Sequence, residues 1–234
     1  MSLYVYCLCD ESDADAFAGS VGVDGAAVRA LRLGRVAAVL SDVEGERVTA
    51  TDENVRAHNR VNSQVLASLT PLPFRFGTQA TEERLAEYVA ANDEALVAAL
   101  ARVRGCVEMG VKIRWAEKPQ GGGGEAEGVD ARVGRGTAFL LAKRREVLGD
   151  ESLRLRAEEL AAWLSAGVAG LARESAARVR PSESLVVRAA HLVERIRVGE
   201  YRERVRSLSE ERPALQFLTS GPWPPYSFSD IGRR

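Results

Sequence analysis

The sequence has few of the residues that mark several common classes of protein. Its three cysteines, Cys7, Cys9 and Cys106, are too few and too unevenly spaced for a disulfide framework, so we expect reduced thiols. The two histidines, His58 and His191, are not spaced as metal ligands, and we predict no metal site. No apolar run approaches the roughly 20 residues needed to cross a bilayer. We therefore expect a cytoplasmic protein without a membrane partner.

The sequence also has no marked excess of positive or negative charge. The 234 residues contain 32 lysines and arginines against 33 aspartates and glutamates, which gives a formal net charge of -1. A nucleic-acid-binding protein normally shows a basic excess, so we predict no nucleic-acid partner. The chain is 46% hydrophobic and 28% charged, which is typical of a folded globular protein with one large domain or two small ones.

The chain lacks the sequence patterns of common catalytic and cofactor sites. Gly121–Gly124 is followed by Glu125, whereas a phosphate-binding loop needs a lysine and a serine or threonine there. The acidic pairs lie among arginines on amphipathic helices, a pattern typical of a solvated surface. We predict no catalytic residue and no cofactor, and we interpret the glycine-rich residues 119–128 as a flexible loop.

The first half of the chain mixes strand and helix patterns. Residues 1–104 are predicted to form an N-terminal α+β domain. Its predicted elements are a strand over Leu3–Cys9, a short helix near residues 14–19, a hairpin of Val28–Leu33 and Arg35–Val43, a helix from Asp52 to Leu69, an extended segment Phe74–Phe76, and a helix from Thr81 that ends at Gly105.

The second half has the element order of a ferredoxin-like fold. Residues 105–234 are predicted to form a C-terminal modified ferredoxin-like domain, β-α-β-β-α-β, with a long helix. Its predicted elements are a strand over Cys106–Trp115, a helix from Ala138 to about Ser175, an edge strand over Ala176–Arg180, a strand over Leu185–Arg195, a helix over Val198–Leu208 and a strand over Ala214–Thr219. The sheet face that carries Glu108, Lys112 and Arg188 would meet water or the N-terminal domain.

Two segments are rich in proline and aromatic residues. In residues 71–78, Phe74 and Phe76 should point to one side of an extended segment and Arg75 to the other. This segment is either an ordinary strand or a contact for a partner, and we include all three residues as candidates for partner binding.

The second such segment is the tail, residues 221–228. Its prolines restrict the backbone, so its aromatic rings lie on a stiff segment that loses little entropy when it docks. Either these rings bind a partner or the tail folds back onto its own domain. The candidates for partner binding here are Trp223, Pro224, Pro225 and Tyr226.

Four strings of the sequence together resemble the gas vesicle GvpL/GvpF family. In order they are Leu72–Thr78 (LPFRFGT), Glu108–Lys112 (EMGVK), Gly136–Arg144 (GTAFLLAKR) and Thr219–Phe228 (TSGPWPPYSF). The resemblance implies two domains, the second of them ferredoxin-like. It also implies a non-enzymatic accessory protein of gas vesicle assembly that associates with the small hydrophobic shell protein and with other accessory proteins.

Two other functions are compatible with the sequence. A ferredoxin-like fold also occurs in small-molecule-binding enzymes and regulatory domains, and such a protein would need a pocket with convergent polar groups. The tail could also serve as a ligand for an SH3- or WW-type module, although it lacks a clear PxxP pattern with basic flanks.

Overall fold

The computed structural model describes residues 2–10, 19–45, 47–115, 151, 153–179 and 187–229. In these ranges the chain is a mixed α+β protein with two sheets. It divides into two compact units, of which the first is Met1–Met109 with Leu192–Ile196 and Gly221–Arg234, and the second is Gly110–His191 with Arg197–Ser220. The boundary at residues 104 and 105 remains a prediction, because compactness does not show which segments fold independently.

The first unit is built around a sheet whose central strand is buried. Every residue from Leu3 to Cys9 is buried, so neighbouring elements cover both faces of this strand. The predicted hairpin forms, and Gly34 adopts a positive φ of 65° at its turn. The strands are β1 (Ser2–Asp10), β2 (Val28–Leu33), β3 (Val36–Val43), β4 (Leu72–Pro73) and β5 (Gln79–Ala80), in the order β2-β3-β1-β4, with β5 also paired to β1.

Two long helices complete the first unit. Helix α1 covers Asp52–Ser68 and helix α2 covers Glu82–Val103. Each helix begins after a threonine, Thr51 or Thr81, whose side chain accepts a hydrogen bond from a backbone N–H of the first turn. Capping fixes where these helices start, and their buried positions recur at the helical spacing that the sequence predicts.

The second sheet confirms the ferredoxin-like order of the second half. Its strands are β6 (Cys106–Trp115), β7 (Ala172–Val179), β8 (Val187–Glu194) and β9 (Leu215–Trp223), and they lie in the order β7-β8-β6-β9. Helix α3, residues 153–167, and helix α4, Val198–Glu210, connect them as β-α-β-β-α-β. In β6 the predicted alternation is confirmed, because Met109, Val111 and Ile113 are buried while Lys112 is exposed.

One prediction of local structure is wrong and a second is confirmed only in part, because the Phe74 N–H still donates to the Tyr6 carbonyl at 2.8 Å. The helix predicted from Ala138 to Ser175 ends at residue 167, and β7 begins at Ala172. Gly170 has a φ of 80°, a conformation outside the helical region, which separates the two elements. In the predicted extended segment Phe74–Phe76, regular pairing stops at Pro73 and a turn follows at Phe76 and Gly77. The predicted helix at 14–18 and the loop at 119–128 lie outside the described residues.

Candidate interaction surface

The proline and aromatic tail divides into one exposed ring and several buried groups. Trp223, the last residue of β9, is 49% exposed, whereas Pro224, Pro225 and Phe228 are buried. Tyr226–Phe228 form a single 3-10 turn in which the Tyr226 N–H donates to the Pro224 carbonyl at 2.8 Å. We call residues 221–229 the carboxyl-terminal strap. It belongs to the first unit.

Tyr226 anchors the strap in the interior of the first unit. Its hydroxyl lies 3.1 Å from Nε2 of His58 and accepts a hydrogen bond from Nδ2 of Asn62 at 3.1 Å. His58 and Asn62 are buried on α1. The other ring nitrogen of His58, Nδ1, lies 3.0 Å from the hydroxyl of Tyr4, and that hydroxyl accepts the backbone N–H of Gly77 at 3.1 Å. One hydrogen-bonded cluster therefore joins the strap, α1, β1 and the turn after Phe76.

Burial keeps this cluster uncharged at neutral pH. It lowers the pKa of His58 to about 4, so the imidazole is neutral and uses one nitrogen as donor and the other as acceptor. Burial also raises the pKa of Tyr4 to about 12 and raises the pKa of Tyr226. These groups are far from the pKa that suits proton transfer at neutral pH, so the cluster fits a structural role.

Three further contacts hold the strap after Tyr226. The Glu108 carboxylate accepts the backbone N–H of Ser227 at 2.7 Å and its hydroxyl at 2.8 Å. The guanidinium of Arg102 donates to the Phe228 carbonyl at 2.5 Å, and the Ser229 hydroxyl donates to the Pro73 carbonyl at 3.2 Å. Burial raises the pKa of Glu108, and the hydrogen bonds from Ser227 oppose that change. The strap is thus fixed along its 3-10 turn and at Ser229, the residue that follows.

The aromatic residues of the 71–78 segment have different surroundings. The ring of Phe76 packs at 5.9 Å from Tyr4 and 5.7 Å from His58, measured between ring centroids, so it is part of the core. Phe74 is half-buried and meets Tyr88 edge-on at 6.4 Å. Arg75 is exposed, and its carbonyl accepts from the hydroxyl of Thr78 at 2.8 Å.

The candidates for partner binding therefore differ in accessibility. Arg75 and Trp223 are exposed; Phe74, Phe76 and Tyr226 are half-buried; Pro224 and Pro225 are buried. Sequence reasoning did not find Tyr4 as a member of the cluster, because a tyrosine in a β-rich run is typical of any strand. The contact from His58 and Asn62 to Tyr226 was not predicted either, because nothing in the local sequence connects helix α1 with the tail.

Among the described ranges, no three histidine, cysteine, aspartate or glutamate side chains cluster closely enough to hold a metal ion. Within the same ranges, none of the helices combines the length and the apolar character of a membrane span.

The fold and the strap together define a two-unit α+β protein with an exposed tryptophan on a firmly anchored segment. A family model described as "Gas vesicle synthesis protein GvpL/GvpF" matches residues 2–230. The chain belongs to this family, as the four sequence strings predict. It is therefore an accessory protein of gas vesicles.

Individual relatives agree with this assignment. A "Gas vesicle protein L" from a Streptomyces species is 30% identical over 250 residues, which cover 97% of this chain and 92% of that protein. A "Gas vesicle protein F" from Haloferax mediterranei is 27% identical over 239 residues, with 98% and 94% covered.

Solved structures share the fold. The crystal structure of the gas vesicle protein GvpF from an Anabaena species superposes with a TM-score of 0.80 at 19% identity, covering 99% of this chain and 97% of that one. GvpF from Microcystis aeruginosa gives a TM-score of 0.78 at 18% identity, covering 98% and 99%. The predicted α+β class with a ferredoxin-like second half is confirmed.

Proposed function

We propose that this chain is a non-enzymatic, cytoplasmic adaptor that binds the small hydrophobic shell protein of the gas vesicle while the wall nucleates or grows, and that it also contacts other accessory proteins. The observation that carries this proposal is Trp223, a large aromatic ring that is 49% exposed at the edge of an otherwise anchored strap. Exposed tryptophans held by a rigid scaffold are typical of binding hot spots.

The anchoring of the strap matters for affinity. A flexible tail would lose conformational entropy on binding, at a cost of about 0.5–1.5 kcal/mol for each side chain that becomes ordered. Here Pro224, Pro225 and Tyr226 are already ordered by burial and by the hydrogen bonds to His58 and Asn62. The free protein therefore presents Trp223 in a fixed position, so less conformational entropy is lost when a partner binds.

Binding of this kind suits a shell subunit with an apolar surface. Such a surface aggregates in water unless a partner covers it until the subunit reaches a growing edge. Arg75 is a second exposed candidate, next to the half-buried Phe74, which packs against the exposed Tyr88, and it adds a charge that favours solubility. An adaptor needs no catalytic group for this task.

Co-purification with the shell protein tests the proposal. Trp223→Ala should weaken capture of the shell protein by about tenfold or more, because truncating a hot-spot ring typically costs about 2 kcal/mol or more of binding free energy. The matched control is Leu155→Ala, which removes an exposed apolar side chain on α3, 56% exposed, and should leave capture unchanged. Both variants should melt like the wild type by circular dichroism. Equal capture by both variants would contradict the proposal.

A further inference from the structure

Helices α3 and α4 pack against one face of the second sheet. In β8, Nδ1 of His191 lies 2.6 Å from the hydroxyl of Tyr201 on α4. In β9, the ring of Phe217 packs edge-on against Trp163 on α3, with 6.3 Å between the centroids. These contacts identify the side chains that point toward the helices. Their immediate neighbours in each strand point to the opposite face, because side chains alternate along a strand.

Cross-strand contacts show which residues share this second face. Arg114 of β6 donates from Nε to the side-chain oxygen of Gln216 on β9 at 2.7 Å. A Cβ on Gly110 would lie 2.8 Å from the hydroxyl oxygen of Ser220, so these two residues also meet on that face. Lys112 lies midway between Gly110 and Arg114, and Leu218 lies midway between Ser220 and Gln216. Lys112 and Leu218 are therefore cross-strand neighbours.

Part of this face is basic. Lys112 and Arg114 on β6 and Arg188 on β8 are all exposed. By the same alternation Glu108 of β6 and Glu194 of β8 also lie on this face, and the Glu108 carboxylate already accepts two hydrogen bonds from Ser227. The described residues 110–115, 187–191 and 215–220, which surround the three cations along these strands, include no aspartate or glutamate. The partner of Arg114 is a neutral amide, so its charge is not compensated there. Cations on adjacent strands of one face repel each other, and a ligand that brings carboxylates would relieve that repulsion.

The same face carries one apolar side chain in a position for contact. Leu218 is 62% exposed, and it lies beside Lys112 on the neighbouring strand. A ligand that fits must therefore combine carboxylates with an apolar group between them. A protein segment has this combination, whereas a nucleic acid would need the aromatic stacking groups that the described part of this face does not offer.

We propose that this basic face, formed by Lys112, Arg114, Arg188 and Leu218, binds an acidic segment of a protein partner in which carboxylates flank a leucine-like side chain. The carboxylates pair with the three cations, with the fork of each guanidinium suited to bidentate contact. The apolar side chain covers Leu218. The proposed site does not include Trp223, so the adaptor role and the acidic-segment site can fail independently.

Fluorescence anisotropy with a defined probe tests the site. The probe is a labelled 16-residue peptide of repeating Glu-Leu-Glu-Ala, and the matched probe has glutamine in place of every glutamate. We expect the acidic peptide alone to bind, with an affinity that falls as salt is added. Lys112→Glu/Arg188→Glu should raise Kd by more than about tenfold, since two charged hydrogen-bond donors are lost and two repelling carboxylates take their place.

A matched variant and a folding check complete the experiment. Arg156→Glu changes an exposed arginine on α3 and should leave Kd unchanged. If Lys112→Glu/Arg188→Glu has a lower melting temperature than the wild type, Lys112→Gln/Arg188→Gln replaces it. The same loss of affinity for the acidic peptide is expected. The proposal is overturned if the two peptides bind alike or neither binds, if Arg156→Glu weakens binding as much, or if a 16-nucleotide single-stranded DNA binds more tightly. Concentration-dependent dimerisation that the double variant abolishes would overturn it too, by assigning the face to a second copy.

Discussion

Removal of a single hydroxyl from the strap, in Tyr226→Phe, should destabilise the first unit by a measurable amount. The ring and its packing remain, while the hydrogen bonds at 3.1 Å to His58 and to Asn62 are lost. Each such bond contributes about 0.5–1.5 kcal/mol, so the free energy of unfolding should fall by about 1–3 kcal/mol. The cost lies toward the upper value if the buried polar groups left behind find no other partner.

The matched control is Tyr88→Phe. Tyr88 is 36% exposed and packs edge-on against Phe74, so the loss of its hydroxyl should change stability by less than about 0.5 kcal/mol. Urea unfolding followed by circular dichroism gives both values, and hydrogen exchange of residues 221–229 locates the effect in the strap. If Tyr226→Phe unfolds at the same urea concentration as Tyr88→Phe, the cluster does not anchor the strap and our reasoning is refuted.

Three further predictions concern the same unit and the buried histidines. Burial lowers the pKa of both His58 and His191 to about 4, while an unfolded histidine titrates near pH 6.5. Their stabilising contribution is thus complete above about pH 6.5 and is lost as pH falls toward 4. The urea concentration at the unfolding midpoint should fall between pH 7 and pH 5 in the wild type, and it should fall less in His191→Gln. An equal fall in the two proteins would argue against a contribution from the buried, neutral His191. Gly22→Ala should destabilise by about 1–3 kcal/mol, because the new Cβ collides with the Tyr6 hydroxyl that bonds Ser41, and an unchanged melting temperature would count against it. Glu108→Ala should speed hydrogen exchange at the Ser227 amide by about tenfold or more through loss of a charge-assisted bond, and unchanged protection would show that this carboxylate does not hold the strap.

Much of the fold could be predicted from the sequence because its periodicity is strong. Alternation identifies β6, and threonine caps mark the starts of α1 and α2. The end of α3 could not be predicted, because the apolar spacing continues past residue 167, whereas the helix gives way to a turn in which Gly170 has a positive φ.

The candidate surface was predictable only in part. Local sequence indicates a stiff aromatic tail, but whether each ring is buried depends on long-range partners. Tyr226 lies within hydrogen-bond distance of His58, 168 positions earlier in the chain, and nothing in the residues next to either one specifies that contact. Trp223 remains exposed a few positions away, so neighbouring aromatic residues in one motif have different surroundings.

Complementation in cells that lack this gene tests the adaptor role most directly. Cells that carry Trp223→Ala, at the same protein level as cells that carry Leu155→Ala, should form fewer gas vesicles by electron microscopy and should float poorly, while the Leu155→Ala cells should float as the wild type does. Normal vesicle numbers and normal flotation with Trp223→Ala would contradict the proposal that this exposed ring binds the shell protein.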